Sequence, residues 1–192
     1  MDRTTLAFWS IIVVLCSASA FYGASVVQQR RGLHKAPGKL ENGDLVRLVT
    51  VVDGDTVVVE KAGTANVTVR ILGIKAFESK IEHDVVAAFG RSAEDALKRI
   101  GEAGPLRVLL NNPPKDSRGR TLATLLAGDQ DLALQLVSEG LVLVYTVYPF
   151  PAMTLYLNAQ EQARAAHRGL WADKDVGARA EGLMREWQRQ KP

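Results

Sequence analysis

The chain has 192 residues, 47% apolar and 23% charged, which excludes a wholly disordered polypeptide; its 7 prolines and 16 glycines exclude a collagen-like or proline-rich fibre. A single cysteine excludes a disulfide framework and a cysteine-built zinc site, and His34, His83 and His167 show no ligand spacing. The net charge of +3 is local: Arg3, Arg30, Arg31 and Lys35 against Asp2 account for all of it, while residues 36–192 hold 20 basic and 20 acidic side chains. A neutral body argues against a strong electrostatic binder of nucleic acid, and the basic collar suits a position beside a membrane.

Leu6 to Val27 carries no charge. As a helix those 22 residues would run roughly 33 Å, enough for a bilayer core of about 30 Å. Trp9, Phe21 and Tyr22 lie toward its ends, where amphipathic rings suit the interface. The run reads as one N-terminal transmembrane helix, residues 6–27. A signal peptide cut after Ala18-Ser19-Ala20 is the competing reading, and the side of the membrane stays open. Cys16 then reads as an apolar residue without a redox role. Residues 28–43, with Ala36-Pro37-Gly38 and Asn42-Gly43, read as a polar linker.

A globular domain is expected over residues 44–175. Leu45–Val52 is rich in β-branched residues and reads as a strand. Asp53-Gly54-Asp55 turns the chain into a second strand over Thr56–Lys61, and a third spans Asn66–Ile74. A helix is expected from Asp84 to Ile100, with a break at Phe89-Gly90 that would move its true start to Ser92. A fourth strand covers Pro105–Asn111. Asn112–Ser117, with Pro113 and Pro114, reads as a turn, because proline has no amide for a ladder. A fifth strand covers Arg120–Ala127. Asp131 can cap a short helix ending before Gly140, Leu141–Val147 is apolar and extended, and Thr154 can cap a helix to His167. A polar helix closes the chain within residues 176–192. Five short strands with a helix after the third fit a small closed barrel, since closure removes exposed edges.

The densest cluster of reactive side chains runs from Asp53 to Glu78. Carboxylates at the Asp53-Gly54-Asp55 turn can offer hard oxygen ligands to a divalent cation; equally, Asp-Gly can serve only as a turn. Arg70 alternates with apolar neighbours on the third strand, Glu78 follows that strand, and Arg120 opens the fifth after Asp116-Ser117-Arg118-Gly119. Each alone reads as a surface charge. Together they are what phosphodiester hydrolysis requires: guanidiniums bind phosphoryl oxygens, and a carboxylate takes the proton of the attacking water.

Val52-Asp53-Gly54-Asp55-Thr56, Val69-Arg70-Ile71-Leu72-Gly73-Ile74 followed by Glu78, Phe89-Gly90 with Ala93-Glu94, and Asp116-Ser117-Arg118-Gly119-Arg120-Thr121-Leu122-Ala123 occur in that order. Glu139-Gly140-Leu141, Tyr148 and Arg168-Gly169-Leu170-Trp171 follow. This series resembles the staphylococcal nuclease-like (thermonuclease) family over about residues 44–173. The resemblance implies an α+β fold, an OB-type five-stranded barrel with three helices. It implies hydrolysis of DNA and RNA to a 3′-phosphate with Ca²⁺, and single-stranded DNA or RNA is the substrate expected here. By motif, Asp55 matches the metal-binding aspartate, Arg70 and Arg120 the phosphate arginines, and Glu78 the general base. Tyr148 matches a nucleotide-contacting tyrosine and Trp171 a tryptophan that packs the C-terminal helix.

One departure is chemical. The family loop reads Asp-Thr-Pro-Glu, and here it reads Lys75-Ala76-Phe77-Glu78. Lys75 replaces a carboxylate ligand with an ammonium, which disfavours Ca²⁺ unless it points away, or supplies positive charge to the substrate itself. At about 4 Å and an effective dielectric near 20, each unit-charge pair is worth about 4 kcal/mol. Loss of proline at Phe77 predicts a looser loop. Three functions follow: a membrane-tethered nuclease, a catalytically impaired binding module on the same fold, and an assembly protein that docks a partner through the C-terminal helix.

Overall fold

The computed structural model describes residues 2, 15–17, 19, 38–79 and 85–190. The chain divides into two compact units, Met1–Pro37 and Gly38–Pro192. The transmembrane helix expected over residues 6–27 lies almost wholly outside the described residues, of which Leu15–Ser17 and Ser19 are helical. Among the described residues no helix is long and apolar enough to cross a membrane. The second unit begins at Gly38 rather than Asp44: Leu40, inside the stretch read as linker, is buried in the core.

β1 (Leu45–Asp53), β2 (Thr56–Glu60) and β3 (Val67–Ile71) form an antiparallel meander, with Asp53 opposite Thr56 and Thr56 opposite Arg70. β5 (Leu106–Lys115) pairs antiparallel with β1 and with β6 (Thr121–Ala127), onto whose end the short β7 (Gln130–Asp131) folds back antiparallel. A parallel pairing of β3 with β6, Val69 opposite Thr121 and Arg70 opposite Leu122, closes the ring. The result is the five-stranded barrel expected from the resemblance. Val57, Val59, Val69, Ile71, Val108 and Leu125 fill its interior. Closure leaves no long bare edge.

The third strand is shorter than its apolar run suggests. It stops at Ile71, and Gly73 turns the chain at φ 78°. Ile74–Lys75 then leaves the barrel as β4 and pairs with β8 (Leu143–Val144), Lys75 opposite Leu143. The fourth strand is longer than expected and runs through Pro113 and Pro114 to Lys115. The prolines fall where the β5–β6 register is interrupted, between Leu110 and Lys115, so their missing amides break no ladder bond. The turn follows instead at Asp116, whose carbonyl accepts from the Gly119 amide.

Among the described residues after β3 there are four α-helices: α1 (Val85–Ala103), α2 (Leu132–Ser138), α3 (Met153–Ala165) and α4 (Lys174–Arg189). Asp131 caps α2 as expected, accepting from the Ala133 and Leu134 amides. α3 starts one residue before Thr154 and has no side-chain cap. α4 is amphipathic: Val176, Ala180 and Trp187 join Phe77, Val86, Leu143 and Trp171 in a second apolar cluster. Trp171 thus packs the C-terminal helix as expected. That cluster also corrects the expectation of a loose loop. Phe77 is 5% exposed, so an apolar anchor holds the loop where proline is missing.

α1 runs unbroken through Gly90, where the sequence suggests a break. Both glycines near the loop are there for close approach, not for unusual dihedrals. A Cβ on Gly90 would lie 2.5 Å from the Phe77 carbonyl oxygen and 2.9 Å from the Ser79 nitrogen. A Cβ on Gly54 would lie 2.6 Å from the Ala76 Cβ and 2.7 Å from the Ala93 Cβ. The helix, the hairpin turn and the loop bearing Glu78 can meet only without those carbons. Gly90→Ala is therefore expected to destabilise the domain by about 1–3 kcal/mol in urea denaturation. Gly182→Ala, on α4 with open space around its Cβ, should stabilise it by about 0.5–1 kcal/mol.

Candidate active site

The tight β1–β2 turn points the Asp55 side chain inward, where only 2% of the residue is exposed. A carboxylate at that depth needs partners on both oxygens. Oδ1 accepts from the Thr56 hydroxyl at 2.9 Å. Oδ2 accepts from the Ala76 amide at 3.0 Å and pairs with Arg70 Nη2 at 3.2 Å, with Lys75 Nζ at 3.7 Å. Burial alone would push the Asp55 pKa up. The charges of Arg70 and Lys75, with the hydrogen bond donated by the Ala76 amide, outweigh burial and hold it below the ordinary 3.8.

Arg70 sits on β3 directly beside this turn. Nη1 donates to the carbonyls of Asp55 (3.1 Å) and Ile71 (2.9 Å), and Nη2 donates to the Ile74 carbonyl at 2.6 Å. Both terminal nitrogens are committed to protein oxygens, and Nε–H is the remaining donor. The guanidinium thus ties the hairpin, the end of β3 and the start of β4 together. Its side chain is 12% exposed. Arg120 lies two positions before Leu122, which pairs with Arg70, so strand alternation sets both arginines on one face. Burial lowers the pKa of Arg70, Asp55 opposes this, and the like charge of Arg120 adds to it. Arg120 itself is held by Asp116, which accepts from Nε at 2.8 Å and pairs with Nη2 at 2.8 Å.

Lys75 points into the site. Its ammonium donates to Glu78 Oε1 at 3.1 Å while facing Asp55. Glu78 is the more open carboxylate, its side chain 44% exposed. Ser79 next to it donates to Glu94 of α1, which fastens the loop from its far side. The structure thus links Arg70, Asp55, Lys75 and Glu78 into one chain of charges, with Arg120 on the same face. Tyr148 stands apart from that chain, 66% exposed, its ring 6.2 Å from that of Tyr145. His34 and His83 lie outside the described residues.

Three supporting roles were not legible in the sequence, one of them that of Asp53, which it offers only as a cation ligand or a turn residue. Asp116 aims Arg120, Ser79–Glu94 fastens the loop, and Asp53 sets the electrostatics of the turn by accepting from the Asp55 amide at 3.0 Å. Asp116 four residues before Arg120 was a visible signal; the Ser79–Glu94 pairing had none. A groove of about 320 Å³ adjoins Arg120, lined in part by Asn66, Thr68, Lys115 and Arg118.

The residues do not fit a resident Ca²⁺. That ion takes about 6–8 oxygen ligands. Among the described residues no group of three His, Cys, Asp or Glu side chains is arranged to hold a metal. Both oxygens of Asp55 are engaged, and two of its partners are cations. At about 4 Å and an effective dielectric near 20, one ammonium and a divalent ion repel by about 8 kcal/mol.

The carboxyls also predict a pH response. Asp55 and Asp116 bind a proton less tightly folded than unfolded, so they add stability above pH 3.8 that is lost as pH falls through their folded values. Asp53 does the reverse. Its own burial, then the charge of Asp55, raises its pKa, so ionising it at higher pH costs stability. Asp53→Asn should raise the urea midpoint at pH 7 and leave it unchanged near pH 3.

Comparisons with known proteins agree with this architecture. The sequence profile described as staphylococcal nuclease homologue matches residues 68–173. An uncharacterized endonuclease of Haemophilus influenzae is 33% identical over 129 residues, 67% of this chain and 67% of its own length. Thermonucleases of Staphylococcus intermedius and Staphylococcus hyicus are each 28% identical, over 67% and 69% of this chain and 77% and 78% of their own lengths. The chain belongs to the staphylococcal nuclease family.

Proposed function

We propose that the protein is a nuclease that hydrolyses phosphodiester bonds of DNA or RNA at the face shared by Arg70, Glu78 and Arg120. The observation that carries this reading is the continuous chain of ionic contacts from Arg70 through Asp55 and Lys75 to Glu78. In the step assigned to it, water attacks phosphorus and gives a proton to Glu78. A new P–O bond forms, the P–O bond to the leaving oxygen breaks, and that oxygen takes a proton from solvent. Arg120 and the Nε–H of Arg70 offset charge on the non-bridging oxygens. The groove beside Arg120, with Lys115 and Arg118, supplies local positive charge in a body that is neutral overall. Tyr148 offers an exposed ring on which a base can stack.

A second reading rests on one specific observation. Arg70 spends both terminal nitrogens on protein acceptors and Glu78 is already paired, which suits a binding module that no longer cuts. The uncharged run Leu6–Val27 with its basic collar supports tethering to a membrane. Removing residues 1–35 is then expected to move the protein from the membrane pellet to the supernatant.

Cleavage of a single-stranded oligonucleotide by the full chain separates the readings. Glu78→Gln and Arg120→Ala should each lower kcat by about 100-fold or more. Tyr148→Ala should raise KM by about 10-fold with kcat little changed. An uncut oligonucleotide bound equally well by wild type and Glu78→Gln would establish the binding module.

A further inference from the structure

We propose that the ammonium of Lys75 is the resident cation of this site, and that the protein cuts phosphodiesters without a bound metal ion. The inference rests on the nuclease reading above and says what supplies its positive charge.

Lys75 is placed, not free. Its backbone is in the β4–β8 ladder opposite Leu143, and the next two residues, Ala76 and Phe77, are buried. The side chain can therefore swing only from a fixed root. From there its ammonium reaches two carboxylates of unlike kind: buried Asp55 at 3.7 Å and open Glu78 at 3.1 Å. Bridging two acids is what a divalent cation would otherwise do in such a site.

The donor count leaves capacity for substrate. An ammonium has three N–H donors. One is given to Glu78 Oε1, and the Asp55 contact at 3.7 Å is an ion pair too long to be a hydrogen bond. Asp55 Oδ2 is already served by the Ala76 amide and Arg70. Two N–H groups of Lys75 remain for a non-bridging phosphoryl oxygen or the attacking water. They lie beside Glu78, which takes that water's proton. Lys75 keeps its own proton throughout, so the balance of the hydrolytic step is unchanged: one water is consumed and one P–O bond is exchanged for another.

The same arrangement explains how Asp55 keeps a role while its second carboxylate partner is lost from the loop. Its charge is matched by Arg70 and Lys75 instead of an ion.

The experiment pairs two readouts on the full-length protein: oligonucleotide cleavage in EDTA or in CaCl₂, and calorimetric titration with CaCl₂ alone. Wild type should cut at rates within about two-fold in the two buffers and release no binding heat. Lys75→Met should lose about 100-fold in EDTA while still melting cooperatively, at a lower temperature because Asp55 loses one of its two cations, and Lys75→Arg should recover part of both losses. Lys75→Asp should gain saturable Ca²⁺ binding and, with it, Ca²⁺-dependent cleavage. Ca²⁺ binding by wild type, cleavage only in CaCl₂, or full activity of Lys75→Met would each overturn the proposal. So would failure of a folded Lys75→Asp protein to bind Ca²⁺. If nothing is cut in either buffer, the nuclease reading fails and metal-free cleavage fails with it. Calorimetry then still decides whether Lys75 holds the cation position.

Discussion

A buried carboxylate governs this domain. Asp55 is almost fully withdrawn from water, and a charge so placed is tolerable only when every lone pair is answered. The answers come from separate parts of the chain: Thr56 beside it, Arg70 from β3, Lys75 from β4 and Ala76 just after it. Satisfying one side chain therefore fixes where β3 ends and where the following loop begins. Because Arg70 also binds three backbone carbonyls around that junction, the electrostatic demand of Asp55 becomes a geometric constraint on the backbone.

That constraint needs support from outside the barrel. The loop from Lys75 to Ser79 is held on one side by β8 and on the other by α1 through Ser79 and Glu94. Phe77 drives its middle into an apolar cluster with Trp171, Val176 and Trp187. The C-terminal helix thus stabilises the position of Glu78, and its apolar face is spent inside its own domain rather than held ready for a partner. Glycines 54 and 90 permit the approach, since any side chain there would separate turn, loop and helix.

Much of the fold was readable in advance because it is written in local patterns. A β-branched run marked β1, the Asp53-Gly54-Asp55 turn marked the start of β2, and Asp131 marked the start of α2. The errors were of one kind. The apolar run hides the end of the third strand, because Ile74 is as apolar as Ile71 and only the pairing partner differs. The fourth outruns its local signal, because Pro113 and Pro114 end a ladder only if the ladder needs their amides. Gly90 looks like a helix break in the sequence, although its lack of a side chain serves the packing of α1 against the loop.

For the site, residue identity and order were enough to single out Asp55, Arg70, Glu78 and Arg120, and to mark Lys75 as an ammonium where the resemblance expects an acid. Chemistry of that sort is carried by the side chains themselves. Direction is not. Whether Lys75 faces Asp55 or solvent, whether Phe77 loosens the loop or anchors it, and whether Asp116 aims Arg120 depend on contacts between segments far apart in the chain. Such contacts are chosen by the packing of the whole domain, where burial makes unpaired charge and empty volume costly, and no local pattern encodes them.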